Sequence, residues 1–90
     1  MTAVYSEIDE YGTIRWCKKG TYLLHREDGP AKEYVNGTEY WYQYGKLHRE
    51  DGPAIVYYNG YKKYKEYYLN DIYYPDISSD EEWIIFQILN

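Results

Sequence analysis

Leu24-His25-Arg26-Glu27-Asp28-Gly29-Pro30-Ala31 recurs unchanged as Leu47-His48-Arg49-Glu50-Asp51-Gly52-Pro53-Ala54, 23 residues further on. Asn36-Gly37 returns at the same offset as Asn59-Gly60. A second register aligns residues 12–20 with 37–45, bringing Trp16 onto Trp41 and Gly20 onto Gly45. Eight identical residues in a 90-residue chain are not a chance event. A period of this size marks stacked supersecondary units, none of which buries its apolar side alone. The outer copies are worn, as expected where a terminal unit must present one face to water.

Each unit reads as an antiparallel hairpin followed by a turn. Asn-Gly between alternating segments is the strongest short hairpin signal, because both residues tolerate positive φ. A two-residue turn at Asn36-Gly37 sets Val35 opposite Thr38, Glu33 opposite Tyr40 and Ala31 opposite Tyr42. Val35, Ala31, Tyr40, Tyr42 and Tyr44 then share one face. In the second hairpin Ala54, Val56, Tyr58 and Tyr61 share a face, and Ile55, Tyr57 and Tyr64 share the other. Both faces are partly apolar, and the pattern selects neither as the core. After Pro75-Asp76-Ile77-Ser78, the string Ser79-Asp80-Glu81-Glu82 is a capping box, with Ser79 as N-cap and Glu82 reaching back. A short helix through Trp83, Ile84, Ile85, Phe86, Ile88 and Leu89 follows. It is apolar nearly all round, so it docks, either as a cap on the open end of the sheet or as a dimer or partner contact. The expected architecture is one mainly β domain over 1–90. Tandem hairpins span about 9–72, and a C-terminal loop and helix span about 75–90.

Composition sharpens this. Fifteen Tyr, three Trp and one Phe carry the apolar burial. The formal charge is −5, and no Lys or Arg follows Lys65, so the acidic excess lies in the last quarter of the chain. That balance disfavours duplex nucleic acid or an anionic membrane as partner. One cysteine, Cys17, excludes an internal disulfide and suits a reducing cytoplasm. The first residues lack the basic and apolar regions of a signal peptide. The run Trp83-Ile84-Ile85-Phe86 is too short to span a bilayer.

Only the two His-Arg-Glu-Asp strings resemble catalytic or metal-binding chemistry, since a histidine near carboxylates can move a proton or hold an ion. Their duplication and the absence of a third partner type favour a structural turn built from His25, Asp28, Gly29 and Pro30 and from His48, Asp51, Gly52 and Pro53. In that reading the aspartate accepts backbone N–H groups, the glycine takes positive φ and the proline ends donation. Arg26 and Arg49 bridge to carboxylates or stack on the abundant tyrosine rings. No catalytic residue, metal ligand or cofactor is expected. Cys17 reads as a packed thiol. Lys18-Lys19 and Lys62-Lys63 read as solvated strand positions that discourage edge-to-edge pairing.

Tyr40-Trp41-Tyr42, Gly45 and then Leu47-His48-Arg49-Glu50-Asp51-Gly52-Pro53-Ala54 resemble the variant MORN-like repeat of small phage and giant-virus proteins, from Gly12 to about Asp71. The resemblance implies stacked hairpins in a single-layer sheet, a viral setting and a binding role without catalysis. Where a MORN unit continues His-Gly-x-Gly, this chain has His48-Arg49-Glu50-Asp51-Gly52, and with its acidity this argues against lipid binding. The expected function is protein binding through an exposed tyrosine face, with Tyr40, Tyr42, Tyr44, Tyr58 and Tyr61 as contacts and Asp71, Asp76 and Asp80 steering association. The partner would be a host or viral protein or a second copy of the chain. The alternative is inhibition of a host defence nuclease by acidic mimicry of nucleic acid, and a small His/Asp enzyme ranks last.

Overall fold

The computed structural model describes residues 1–90 and is mainly β, with antiparallel hairpins and one C-terminal helix. Six strands form the main sheet in the order β1 (Val4–Ile8), β2 (Ile14–Lys18), β3 (Lys32–Glu33), β4 (Glu39–Tyr40), β7 (Ile55–Tyr58), β8 (Lys63–Glu66). Two small hairpins stand beside it: β5 (Tyr42–Gln43) with β6 (Lys46–Leu47), and β9 (Tyr68–Leu69) with β10 (Ile72–Tyr73). The slab measures 39 × 33 × 17 Å, which fits a single sheet carrying side chains and turns on its faces.

The repeat is visible as a recurring backbone circuit. The chain runs from a main-sheet strand past Trp16, Trp41 or Tyr67 into a small hairpin or loop. It then returns so that the amides of His25, His48 and Tyr74 donate to the carbonyls of Trp16, Trp41 and Tyr67, at 2.9, 3.0 and 2.9 Å. In the first two units the motif turn follows. Ala31 and Ala54 then accept, through their carbonyls, the amides of Trp16 and Trp41, both at 2.7 Å. Both alanines have no exposed surface. Successive units are stitched together in the same way twice. Arg26 N–H donates to Tyr42 O and Arg49 N–H to Tyr68 O, while Gly45 N–H donates to Leu24 O and Asp71 N–H to Leu47 O.

No third motif follows Tyr74. The helix α1 (Asp80–Leu89) closes the stack instead. Trp83 is fully buried against Tyr67 and Tyr74, with ring centroids 5.4 and 5.3 Å away, and stacks on Phe86 at 5.8 Å. Its indole N–H donates to Arg49 O at 2.9 Å, and the Gln87 amide reaches Glu50 O. The helix therefore satisfies carbonyls at the open end of the second unit. As expected, Ser79 caps it, its hydroxyl accepting Glu82 N–H at 3.1 Å. The reciprocal half of the capping box is absent, because the Glu82 carboxylate accepts from the Ser78 hydroxyl at 2.7 Å. Docking is one-sided: Ile84, Ile85, Ile88 and Leu89 stay exposed. At the other end, β1 adds an edge strand that the repeat pattern did not mark, paired from Val4↔Lys18 to Ile8↔Ile14.

Neither turn is the expected two-residue Asn-Gly loop. Gly37 and Gly60 do have positive φ, at 93° and 98°. However, Tyr34 N–H donates to Thr38 O, which makes Val35, Asn36 and Gly37 a three-residue loop. The Asn36 side chain accepts Thr38 N–H and donates to Tyr58 O, so its amide is anchored to the neighbouring hairpin rather than free to form the tighter turn. The register moves by one: Lys32 faces Tyr40 and Glu33 faces Glu39. A one-residue slip changes which side chains sit opposite each other, so the proposed set of Val35, Ala31, Tyr40, Tyr42 and Tyr44 is not one face. In the second hairpin Asn59 N–H donates to Lys62 O at 3.3 Å, so the two loop residues are Gly60 and Tyr61 rather than Asn59 and Gly60, and the Asn59 side chain accepts the amides of Tyr61 and Lys62. Tyr57 and Tyr64 share a face, as the alternation predicts, and stand directly opposite each other, but Tyr61 lies in the loop.

Candidate functional site

The motif turns form a clasp with the same geometry twice. The His25 ring has no exposed surface; its Nδ1 accepts Tyr44 N–H at 2.8 Å, and its Nε2 lies 3.0 Å from Glu27 Oε1. His48 Nδ1 accepts Asn70 N–H at 3.1 Å, with Nε2 3.3 Å from Glu50 Oε1. A ring nitrogen that accepts a backbone amide carries no proton, so each ring is the Nε2–H tautomer and donates to its glutamate. Neither nitrogen is left for acid–base work. No group of three or more His, Cys, Asp or Glu side chains is placed to hold a metal ion.

The arginines do what the sequence suggested, on tryptophan rather than tyrosine. The Arg26 guanidinium lies 4.5 Å from the Trp16 ring centroid and that of Arg49 lies 3.7 Å from Trp41. Each donates from Nε to the motif aspartate, Asp28 at 3.2 Å and Asp51 at 2.8 Å, and from its terminal nitrogen to Pro30 O or Pro53 O at 3.3 Å. Asp28 and Asp51 thus hold the arginine, where backbone N–H groups were expected to be their donors. Gly29 and Gly52 do not have positive φ either. They are glycine because a Cβ would sit 2.7 or 2.8 Å from the guanidinium carbon. Gly29→Ala and Gly52→Ala should therefore push the arginine off its tryptophan. Because the Cβ meets only the end of a flexible side chain, each is expected to lower stability by about 0.5–2 kcal/mol, through the lost stacking and hydrogen bonds of the arginine. Thermal melts together with the tryptophan emission of each variant measure both effects.

The opposite character belongs to one face of the main sheet. Cross-strand partners share a face, so Lys32, Tyr40, Ile55 and Glu66 form one row across four strands. Tyr57 and Tyr64 form the next row, half exposed at 47% and 45%. Tyr34 joins them, its ring 5.8 Å from Tyr40, and Tyr42 stacks on Tyr40 at 6.3 Å. Two contiguous depressions follow. The larger, about 450 Å³, is lined by Tyr40, Ile55, Tyr57, Tyr64 and Glu66. The smaller is lined by Tyr34, Asn36, Thr38, Tyr40 and Tyr57. Lysine ammonium groups lie over two of the rings, Lys32 over Tyr34 at 5.0 Å and Lys62 over Tyr64 at 5.2 Å. Desolvation is the main reason the Tyr40 and Tyr42 hydroxyls titrate above their ordinary value.

Of the five tyrosines named from sequence, Tyr40 and Tyr42 lie in this cluster. Tyr44 sits at a hairpin tip with φ 51°, its ring 4.3 Å from His25 and its hydroxyl 2.8 Å from Thr2 Oγ1, so it covers the clasp. Tyr58 alternates to the other side of β7 and donates to Gly60 O. Tyr61 is fully in solvent. The cluster also holds Tyr34, Tyr57 and Tyr64, which the sequence reading did not name as contacts; the grouping of Ile55, Tyr57 and Tyr64 on one face was the signal that could have marked the last two. Two of the three aspartates expected to steer association have internal partners. Asp71 accepts Leu47 N–H at 2.7 Å and Asp80 accepts the Tyr67 hydroxyl at 2.7 Å, while Asp76 is exposed. Cys17 is buried, its thiol 3.9 Å from Tyr22 O.

Several of these contacts make stability depend on pH. The hydrogen bond from His25, then the Thr2 amide, holds the Glu27 carboxyl below its ordinary value; Arg15 does the same for Asp9. A depressed folded value stabilises above the unfolded carboxylate range and is lost as pH falls through the folded values. Burial first, then the hydrogen bond to Glu66, pushes Tyr68 up to about 12, and burial with the bond to Asp80 raises Tyr67 further. Raised values stabilise fully below the ordinary tyrosine value and are lost as pH climbs through the folded ones. Melting temperature should accordingly fall below about pH 4.5 and above about pH 10. A Tm that stays flat from pH 3 to pH 12 would contradict both assignments.

No protein-family model matches the chain, and neither a curated protein nor a solved structure is similar to it at a significant level.

Proposed function

We propose that the protein is a non-catalytic binding module that engages another protein through the tyrosine face of its main sheet. One observation carries the reading: the motif side is committed to holding the fold, whereas Tyr57 and Tyr64, with Tyr34, Tyr40 and Ile55 around them, leave an aromatic surface partly in solvent. Tyrosine gives large contact area at low cost in rotamer freedom, which is why it is enriched where proteins meet. Commitment of both nitrogens of each histidine ring supports a role without catalysis. The resemblance of the repeat supports, on its own, a viral accessory protein that meets a host protein in the cytoplasm.

The test is capture of a partner from cell lysate by the immobilised full chain, alongside a Tyr57→Ala/Tyr64→Ala variant and an Ile84→Ser/Ile88→Ser control on the exposed helix face. Loss of more than tenfold of the captured partner is expected for the tyrosine variant and little change for the control. Capture that survives the tyrosine changes and disappears with the helix changes would place the binding surface on the helix.

A further inference from the structure

Resting on that reading, we propose that the tyrosine face takes a proline-rich segment in polyproline II conformation that carries an acidic residue at one end and a basic residue at the other. Three observations lead there. First, the surface is the face of a sheet, not its edge. β3, β4 and β7 are paired on both sides and only the outer edge of β8 is free, so an occupant lying on the face across these strands finds no backbone to pair with. A segment already extended without internal hydrogen bonds loses least on binding such a face, and proline rings pack well on aromatic ones.

Second, the two depressions adjoin and share Tyr40 and Tyr57 as a common wall. A shared ridge between two aromatic slots suits a helix of three residues per turn, which presents successive pairs of rings on one side. Third, the row that lines the larger slot carries basic charge on one side of its apolar pair, where Lys32 is followed by Arg15 on β2, and acidic charge on the other. Lys32 stands on β3 and Glu66 on β8, with Tyr40 and Ile55 between them. Glu66 holds the Tyr68 hydroxyl on Oε1 at 3.0 Å, and its other oxygen remains for a ligand cation. Three strand spacings separate Lys32 from Glu66, about 14 Å. At about 3.1 Å per residue, that is a peptide with its two charges about five positions apart. A single-stranded nucleic acid could also stack on tyrosines, but it would bring phosphates to Glu66 on a chain of net charge −5.

The probe is a synthetic peptide with four prolines between a glutamate and an arginine, titrated calorimetrically into the full-length protein. Two comparison ligands are the same peptide with glycines for prolines, and single-stranded oligothymidine. Saturable binding of the proline peptide is expected. The glycine peptide should bind at least about tenfold more weakly. Glu66→Gln should weaken the proline peptide about threefold, and Tyr57→Ala, with unchanged Tm, at least about tenfold. Equal binding of the glycine peptide, tighter binding of oligothymidine, or no saturable binding of the proline peptide overturns the proposal. If a lysate partner is still lost from the tyrosine variant while the proline peptide fails to bind, this inference falls and the binding module stands. If the tyrosine changes affect neither, both fall.

Discussion

Replacing Trp83 with alanine is expected to lower stability by about 3–5 kcal/mol, the cost of emptying a buried aromatic site. The ring has no exposed surface and meets Tyr67, Tyr74 and Phe86. Removing it also leaves Arg49 O without its indole donor. Small chains of this kind have only about 5–15 kcal/mol in total, so the change takes a large share. Trp83→Phe retains most of the packing and loses the hydrogen bond, so it should cost about 1–2 kcal/mol. Denaturant unfolding measures both. Hydrogen exchange adds the location: amides of β9 and β10, which lean on the helix through Tyr67 and Tyr74, should lose protection before those of β1 and β2. A Trp83→Ala cost below about 1 kcal/mol would mean that the helix does not close the stack.

His25→Ala is the second large effect, about 2–4 kcal/mol, from a cavity and from an orphaned amide together. The Tyr44 amide loses its acceptor, Glu27 keeps only the Thr2 amide as donor, and the Tyr44 ring loses the surface it covers. His48→Ala should cost less. Its side chain is 11% exposed where that of His25 has no exposure, its bonds are longer at 3.1 and 3.3 Å, and Glu50 is mostly in water. Identical residues in the two copies thus predict unequal effects, ranked by burial. Equal costs measured by denaturant unfolding would show that burial does not set the scale.

The eight-residue repeat made the tandem hairpins readable, and the Ser79 cap with the apolar run after it made the helix readable. Both are local signals. What the sequence left open depends on contacts between units. The loop at Asn36-Gly37 gained a residue because the Asn36 amide binds Tyr58 O, 22 positions away, and that one shift moved Tyr40 opposite Lys32. Gly29 and Gly52 looked like turn glycines, yet their cause is a guanidinium that arrives from within the same motif and stacks on a tryptophan of the preceding strand. Asp71 and Asp80 looked like free surface charge, because nothing in their neighbours announces an amide of Leu47 or a hydroxyl of Tyr67. The tyrosine count correctly pointed to an exposed aromatic face. It could not say which tyrosines, because Tyr44 and Tyr58 are drawn to the other side by the tip of a hairpin and by strand alternation.

The account rests on the repeated motif being a clasp that holds the stack rather than a site of chemistry, and nitrogen-15 NMR of the two imidazole rings tests this most directly. Both rings should be Nε2–H tautomers at neutral pH, with Nδ1 coupled through hydrogen bonds to the amides of Tyr44 and Asn70. A ring that carries its proton on Nδ1, or that exchanges freely between tautomers without coupling to either amide, would contradict it.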